Sequence, residues 1–207
     1  ATEAALLDYQ ERLLRTGLYE RISVTLDTER ADPSGTPVIV RVSEAPIQQA
    51  TVGVGISANT GPRLSLEHTH RRVFGERATA RNKLELGRLR QAWEGELSSH
   101  AQPNLYRNLL GGTFERLVAD DDTDVVRSAR LRLGRTRETT REEQYTFVQL
   151  ERADRTTATS REGINAASIN HHAVWRNVDN VLLPTQGYSV SLQTGLGFAR
   201  GGSDQVA

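Results

Sequence analysis

The chain is 207 residues long and balances 26 basic against 26 acidic side chains, which excludes the strong positive field of a nucleic-acid-binding surface. It contains no cysteine, so disulfides, thiolate metal sites and a cysteine nucleophile are excluded as well. Hydrophobic residues make up 37% and mean hydropathy is −0.52; no run approaches the ~18 apolar residues of a membrane helix, although a transmembrane β-barrel needs only alternate residues apolar.

The first segment, ATEAALLDYQERLLRTG, predicts a helix with Leu6, Leu7, Gln10, Leu13 and Leu14 near one stripe and Gly17 as its stop. LYERISVTLD follows, with Leu18, Ile22, Val24 and Leu26 at even positions, the pattern of a strand. A polar turn with Asp32, Pro33 and Gly35 leads into a second strand, PVIVRVSE. Helix, strand, turn and strand make a small α+β unit or the end of one, so 1–45 is expected to stand apart from 46–207.

After Pro46 the texture changes to strands alone. QATVGVGIS alternates Val52, Val54 and Ile56 against Thr51, Gly53, Gly55 and Ser57. NTGP at 59–62 predicts a turn, RLSLEHTH a second strand, FGER at 74–77 another turn, and ATARNKLELG a third strand. Further strands are expected at 91–100, 105–118, 124–136, 143–153, 163–176 and 187–199, giving about nine in an up-and-down succession of near membrane-strand length. In 105–118 neither face is cleanly apolar. ADDDTD at 119–124 and ADRTTATSREG at 153–163 are expected to be loops at one end of the strands. PTQG at 184–187 precedes a final strand with Tyr188, Val190, Leu192, Thr194, Leu196 and Phe198 on one face. Arg63, Glu67, Arg81, Lys83 and Glu85 share the polar parity of neighbouring strands. That parity fits the solvent face of a soluble β-sandwich or the lumen of a barrel, and periodicity alone leaves both open.

Three stretches resemble one family. GLYERISVTLD with GTPVIVRVSE looks like the end of a POTRA domain. VGVGISANTGPRLSLEHTHRRVFG is similar to the first barrel hairpin of the BamA/TamA superfamily of outer-membrane assembly proteins, the bacterial surface antigen group. Within it, Val52-Gly53-Val54-Gly55 followed by Thr60-Gly61-Pro62-Arg63 is closest to the TamA branch. Arg176, Asp179 and Leu183-Pro184-Thr185-x-Gly187 resemble the turn found midway round that barrel.

The resemblance implies a partial POTRA domain in the periplasm followed by the first half of an antiparallel transmembrane barrel. It implies a factor that helps insert nascent outer-membrane proteins or autotransporters into outer-membrane lipid, with a TamB-type periplasm-spanning protein as partner. The client-pairing edge would be Thr51, Val52, Gly53, Val54, Gly55, Ile56, Ser57 and Ala58. The motif turns would be Gly61, Pro62 and Arg63, and Arg176, Asp179, Pro184, Thr185 and Gly187. Alternatives are a BamA-type insertase, a two-partner secretion channel, the membrane-anchoring barrel of a patatin-like phospholipase, or a soluble sandwich. A barrel of this family has about sixteen strands, and the chain lacks an initiator Met, so it is expected to be a piece of a longer protein.

No catalytic chemistry is indicated. There is no G-x-S-x-G elbow, and the glycine-rich pieces at 53–55 and 195–197 lie within strands instead of opening a helix. His68 with His70, and His171 with His172, gather no third ligand, so no metal and no cofactor are expected. Asp179, Thr185 and Gly187 carry turn chemistry, and Tyr188 would be aimed at a membrane interface.

Overall fold

A computed structural model of the chain describes residues 3–30, 35–58, 61–102, 104–119, 124–179 and 185–205. Asp32 and Pro33, Asn59 and Thr60, most of the acidic 119–124 run, Leu183 and Pro184 lie outside the described residues. The chain divides into two compact units, Ala1–Ile47 and Gln48–Ala207.

In the first unit, α1 (Glu3–Arg15) is built from good helix formers, with Asp8–Arg12 and Glu11–Arg15 pairs four residues apart, the latter at 2.7 Å. Gly17, with φ +70°, ends the segment in the left-handed region. β1 (Tyr19–Leu26) and β2 (Val38–Glu44) form an antiparallel hairpin with Val24 opposite Val40 and Ile22 opposite Val42. α1 packs on β1, where the Gln10 side-chain carbonyl accepts the Val24 N–H at 3.3 Å. The packed stripe is narrower than the sequence suggests. Leu6, Gln10 and Leu13 are half-buried, whereas Leu7 and Leu14 are exposed, each turned about 100° from its neighbour on the stripe.

The second unit is one antiparallel sheet of nine strands in chain order: β3 (Gln48–Ser57), β4 (Gly61–His70), β5 (Ala78–Gly87), β6 (Arg90–Ser99), β7 (Tyr106–Val118), β8 (Val125–Glu138), β9 (Glu142–Thr156), β10 (Ser160–Val178) and β11 (Gly187–Gln205). The expected meander is therefore present, with longer strands than the sequence indicates. The 153–163 loop is corrected to a three-residue connection, 157–159, closed by Thr157 on the Ser160 backbone and hydroxyl. Its charged residues look loop-like because strands running past an apolar belt can carry charge. Likewise Gly61 and Pro62 belong to β4, opposite Ser57 and Ile56, instead of to a turn. At the first residues of a strand the missing proline donor is tolerated.

Register sorts every side chain onto one of two faces. The apolar face carries, strand by strand, Val52 and Val54, Leu64 and Leu66, Leu84 and Leu86, Trp93 and Leu97, Leu110 and Phe114, Leu131 and Leu133, Val148 and Leu150, Ala167 and Ile169, then Leu196 and Phe198. The unit holds no second sheet among the described residues to cover this face, and Leu196 is 80% exposed. Among the described residues the buried hydrophobics are Ala173, on this face, and Val174, on the other. The opposite face is a charged ladder: Glu67–Lys83 at 3.1 Å, Arg90 bridging Glu85 and Glu115 at 2.6 Å each, Arg130–Glu151 at 3.1 Å and Arg176–Glu143 at 2.7 Å.

The apolar belt does not follow the hydrogen-bonded rows. Its centre is Val54 on β3, but the row through Val54 and Leu64 arrives at Gly202 on β11, whereas the β11 belt is centred near Thr194. The belt has slipped eight residues over eight strand-to-strand steps. At about 3.3 Å per residue and about 4.8 Å per step, this drift corresponds to strands inclined about 35° to the belt's normal. Transmembrane barrel strands are tilted by about 35–45°.

Candidate functional site: the β3 edge and the turn motifs

Among the described residues β3 is an edge strand, hydrogen-bonded to β4 and to no other strand. Val54 and Ile56 on its apolar face are 84% and 85% exposed, and Val52 shares that face. Thr51, Gly53, Gly55 and Ser57 lie on the polar face, and Ala58 follows the strand's end. The two glycines leave room for β4. A Cβ at Gly53 would stand 2.6 Å from Ser65 Oγ, which donates to the Gly53 carbonyl at 3.4 Å; one at Gly55 would stand 3.1 Å from Arg63 Nε. Arg63 and Ser65 thus fold across the β3 backbone and border a polar depression with Glu67, Lys83 and Glu85. Each glycine weakens a strand by about 0.5–1 kcal/mol relative to alanine. β3 is paired over ten residues, against nineteen for β11 on β10. It is the shorter of the two edge pairings, and two of its ten β3 residues are glycine.

Of the motif-turn residues, Gly61, Pro62 and Arg63 pair directly with β3, whereas Arg176, Asp179, Thr185 and Gly187 lie at the far edge of the sheet and form no common site with it. Asp179 caps the β10–β11 connection: its carboxylate accepts the Thr185 and Gln186 amides at 3.0 Å each and the Thr185 hydroxyl at 2.5 Å. Gly187 has φ +118°, and a Cβ there would stand 2.1 Å from the Asn177 carbonyl oxygen. Arg176 points onto the polar face and pairs with Glu143. Gly61 opens β4 with φ +72°.

No protein-family model matches the chain, and no curated protein sequence matches it. Among solved structures it is similar to the crystal structure of BamA from Haemophilus ducreyi lacking POTRA domains 1–3, at 13% identity and a TM-score of 0.56. The match covers 97% of this chain and 44% of that one, so the chain spans less than half the length of the solved relative. The likeness is one of fold: the chain has the architecture of part of that barrel protein.

Some features of this sheet escape the sequence pattern. Trp93 lies flat along the apolar face; Cβ atoms at Gly95 and Gly112 would come within 2.4 and 3.2 Å of its ring. Gly95 and Gly112 face each other across β6 and β7, so one indole supplies apolar surface where two strands carry none. A glycine two residues after a tryptophan, with another in the next strand, is the signal that finds it. Arg90, linking Glu85 on β5 to Glu115 on β7 across β6, was also missed because its partners are set by register. The histidines make ordinary contacts: the His68 and His70 rings are 6.4 Å apart edge-on, and His171 Nδ1 meets the Thr146 hydroxyl at 2.8 Å. No group of three metal-ligating side chains exists among the described residues.

Proposed function

We propose that the chain is part of an outer-membrane assembly factor of the BamA/TamA kind, its polar face lining the barrel lumen and its apolar face meeting lipid. The observation that carries this reading is the β3 edge: short, diluted by Gly53 and Gly55, and beside an apolar belt slanted at a barrel's tilt. The unpaired N–H and C=O groups of β3 offer a client strand its backbone hydrogen bonds, while Val52, Val54 and Ile56 offer apolar contacts. Weak pairing lets the client exchange in and out. No nucleotide is consumed, since the driving force is burial of the client's own strands.

The clients are nascent outer-membrane proteins or autotransporters. In the TamA-like form of this reading, favoured by Val52-Gly53-Val54-Gly55 and the Gly61-Pro62-Arg63 hairpin, residues 1–45 end a periplasmic POTRA domain and a TamB-type protein is the partner. A BamA-type insertase shares the edge mechanism and is favoured by the solved relative. On either form the Asp179–Gly187 turn follows the eighth strand of the sheet and lies on the periplasmic side, with Tyr188 at that interface.

The test is cysteine crosslinking in the full-length protein. Single cysteines at Val52, Val54 and Ile56 should each capture a client's terminal strand bearing a cysteine at matching register, and cysteines on β7 should not. Failure at all three positions overturns the templating role.

A further inference from the structure

The apolar face ends in a row of arginines where β7 turns into β8 and β9 into β10. Arg116, Arg127, Arg152 and Arg200 all project from that face. Arg116 stands directly opposite Arg127, an arrangement of like charges that costs stability unless an anion lies between them. Among the described residues, Arg116, Arg127 and Arg200 make neither a hydrogen bond nor an ion pair. Arg152 is held by Asp154 at 3.0 Å, and Arg161 has Asp204 opposite it in register. At the other end of the same face Arg137 pairs with Glu142 at 2.9 Å, and Arg135 and Arg137 stack over Tyr106 at 4.8 and 5.7 Å.

Directly below this row the face is hollowed. Ala129 and Ala167 form the floor, Leu131, Leu150 and Phe198 the apolar walls, and Arg152 and Arg200 the rim of a concavity of about 600 Å³. An apolar trough with guanidinium groups at one end fits a molecule with a hydrocarbon tail and an anionic head. A guanidinium presents its donors in a fork that matches phosphate oxygens. Arg116, Arg127, Arg152 and Arg200 have among them the one carboxylate of Asp154, which faces Arg127 in register and pairs with Arg152, and the positive charge left over is more than one phosphodiester carries.

We propose that this groove binds a membrane lipid bearing more than one phosphate, its acyl chain over Ala129 and Ala167 and its phosphates on Arg127, Arg152 and Arg200. The site rests on the barrel reading above, in which this face meets lipid and the arginine row lies in the leaflet away from the POTRA side. It would fix a lipid against β8–β11, five strands from the β3 edge.

The full-length protein, folded in detergent, is first checked for heat-modifiable mobility; its absence overturns the barrel reading and the lipid site together. Native mass spectrometry then titrates diphosphorylated lipid A, phosphatidylglycerol and phosphatidylcholine. Lipid A should bind at least about tenfold more tightly than phosphatidylglycerol. The R152Q/R200Q variant should lose about tenfold in lipid A affinity, and Ala167→Trp, which fills the trough and leaves the arginines, should weaken it as well. Arg135→Gln at the opposite end should leave binding unchanged. Equal affinity for phosphatidylglycerol, undiminished binding in both groove variants of a heat-modifiable protein, or displacement by inorganic pyrophosphate at lipid-like concentrations overturns the site while leaving the barrel reading intact.

Discussion

Gly187 and Asp179 set how β11 leaves the β10 turn. Gly187 combines φ +118° with a space closed by the Asn177 carbonyl and Val178 Cα, so any side chain there meets both backbone strain and a clash. Gly187→Ala is expected to destabilise the folded state by about 2 kcal/mol or more, visible as a lowered urea midpoint at unchanged m-value. Asp179→Ala in the same measurement should cost about 1–2 kcal/mol, because two amides lose a charged acceptor. This turn was legible in the sequence because its chemistry is local: an aspartate and a Thr-x-Gly sit six to eight residues apart and find each other without help from the fold. Trp93 was not legible in the same way. Its role depends on Gly112, which only register brings beneath the indole. Local rules reach the first case and stop short of the second.

Nine strands were legible at the element scale because alternation survives wherever a strand crosses the belt, as with Val52, Val54 and Ile56 in β3. β7 read poorly for two physical reasons. It extends beyond the belt at both ends, where Tyr106, Arg116 and Val118 need not obey the pattern, and at its centre Gly112 cedes the apolar role to Trp93. The 153–163 run misled for the first reason, its charges lying on strand continuations of β9 and β10. In β3 the alternation is clean but says nothing of strength, which follows from what the glycines admit. Ser65 Oγ and Arg63 Nε are the ends of movable side chains, so a methyl at either glycine is accommodated by a small rotation. The G53A/G55A variant should therefore strengthen β3–β4 pairing by about 1 kcal/mol. Amide exchange across 48–57 should slow by several-fold, and client insertion should slow with it if loose pairing is what the edge contributes. Faster or unchanged exchange would mean that the glycines serve only to seat Arg63 and Ser65.

At the scale of the whole molecule the chain exposes 14727 Å², against about 9,600 Å² for a folded soluble monomer of its 22.9 kDa. The excess is the signature of a single layer whose apolar face is left uncovered, and it disfavours a sandwich with a closed interior. The alternation of residues alone left those two architectures equal; the slanted belt and the bare apolar face separate them, and both required register. Leu131 offers the sharpest probe because Arg130 and Arg132 flank it on the other face, so an arginine is already accepted one residue to either side. With lipid on the apolar face, Leu131→Arg places a guanidinium in mid-belt between Gly112 and Leu150, and should cost about 2–4 kcal/mol. Ser128→Arg, on the polar face opposite Glu115, should cost less than about 1 kcal/mol. The readout is the urea midpoint for folding of the full-length protein into lipid vesicles, followed by heat-modifiable mobility. The decisive quantity is the difference between the two variants in thin and thick bilayers. A lipid-facing Leu131 is penalised more as the arginine's path to the headgroups lengthens, whereas a residue facing water or protein is indifferent to bilayer thickness. Equal costs for both variants in every bilayer would mean that neither face meets lipid, and would remove the lumen, the client edge and the lipid groove together.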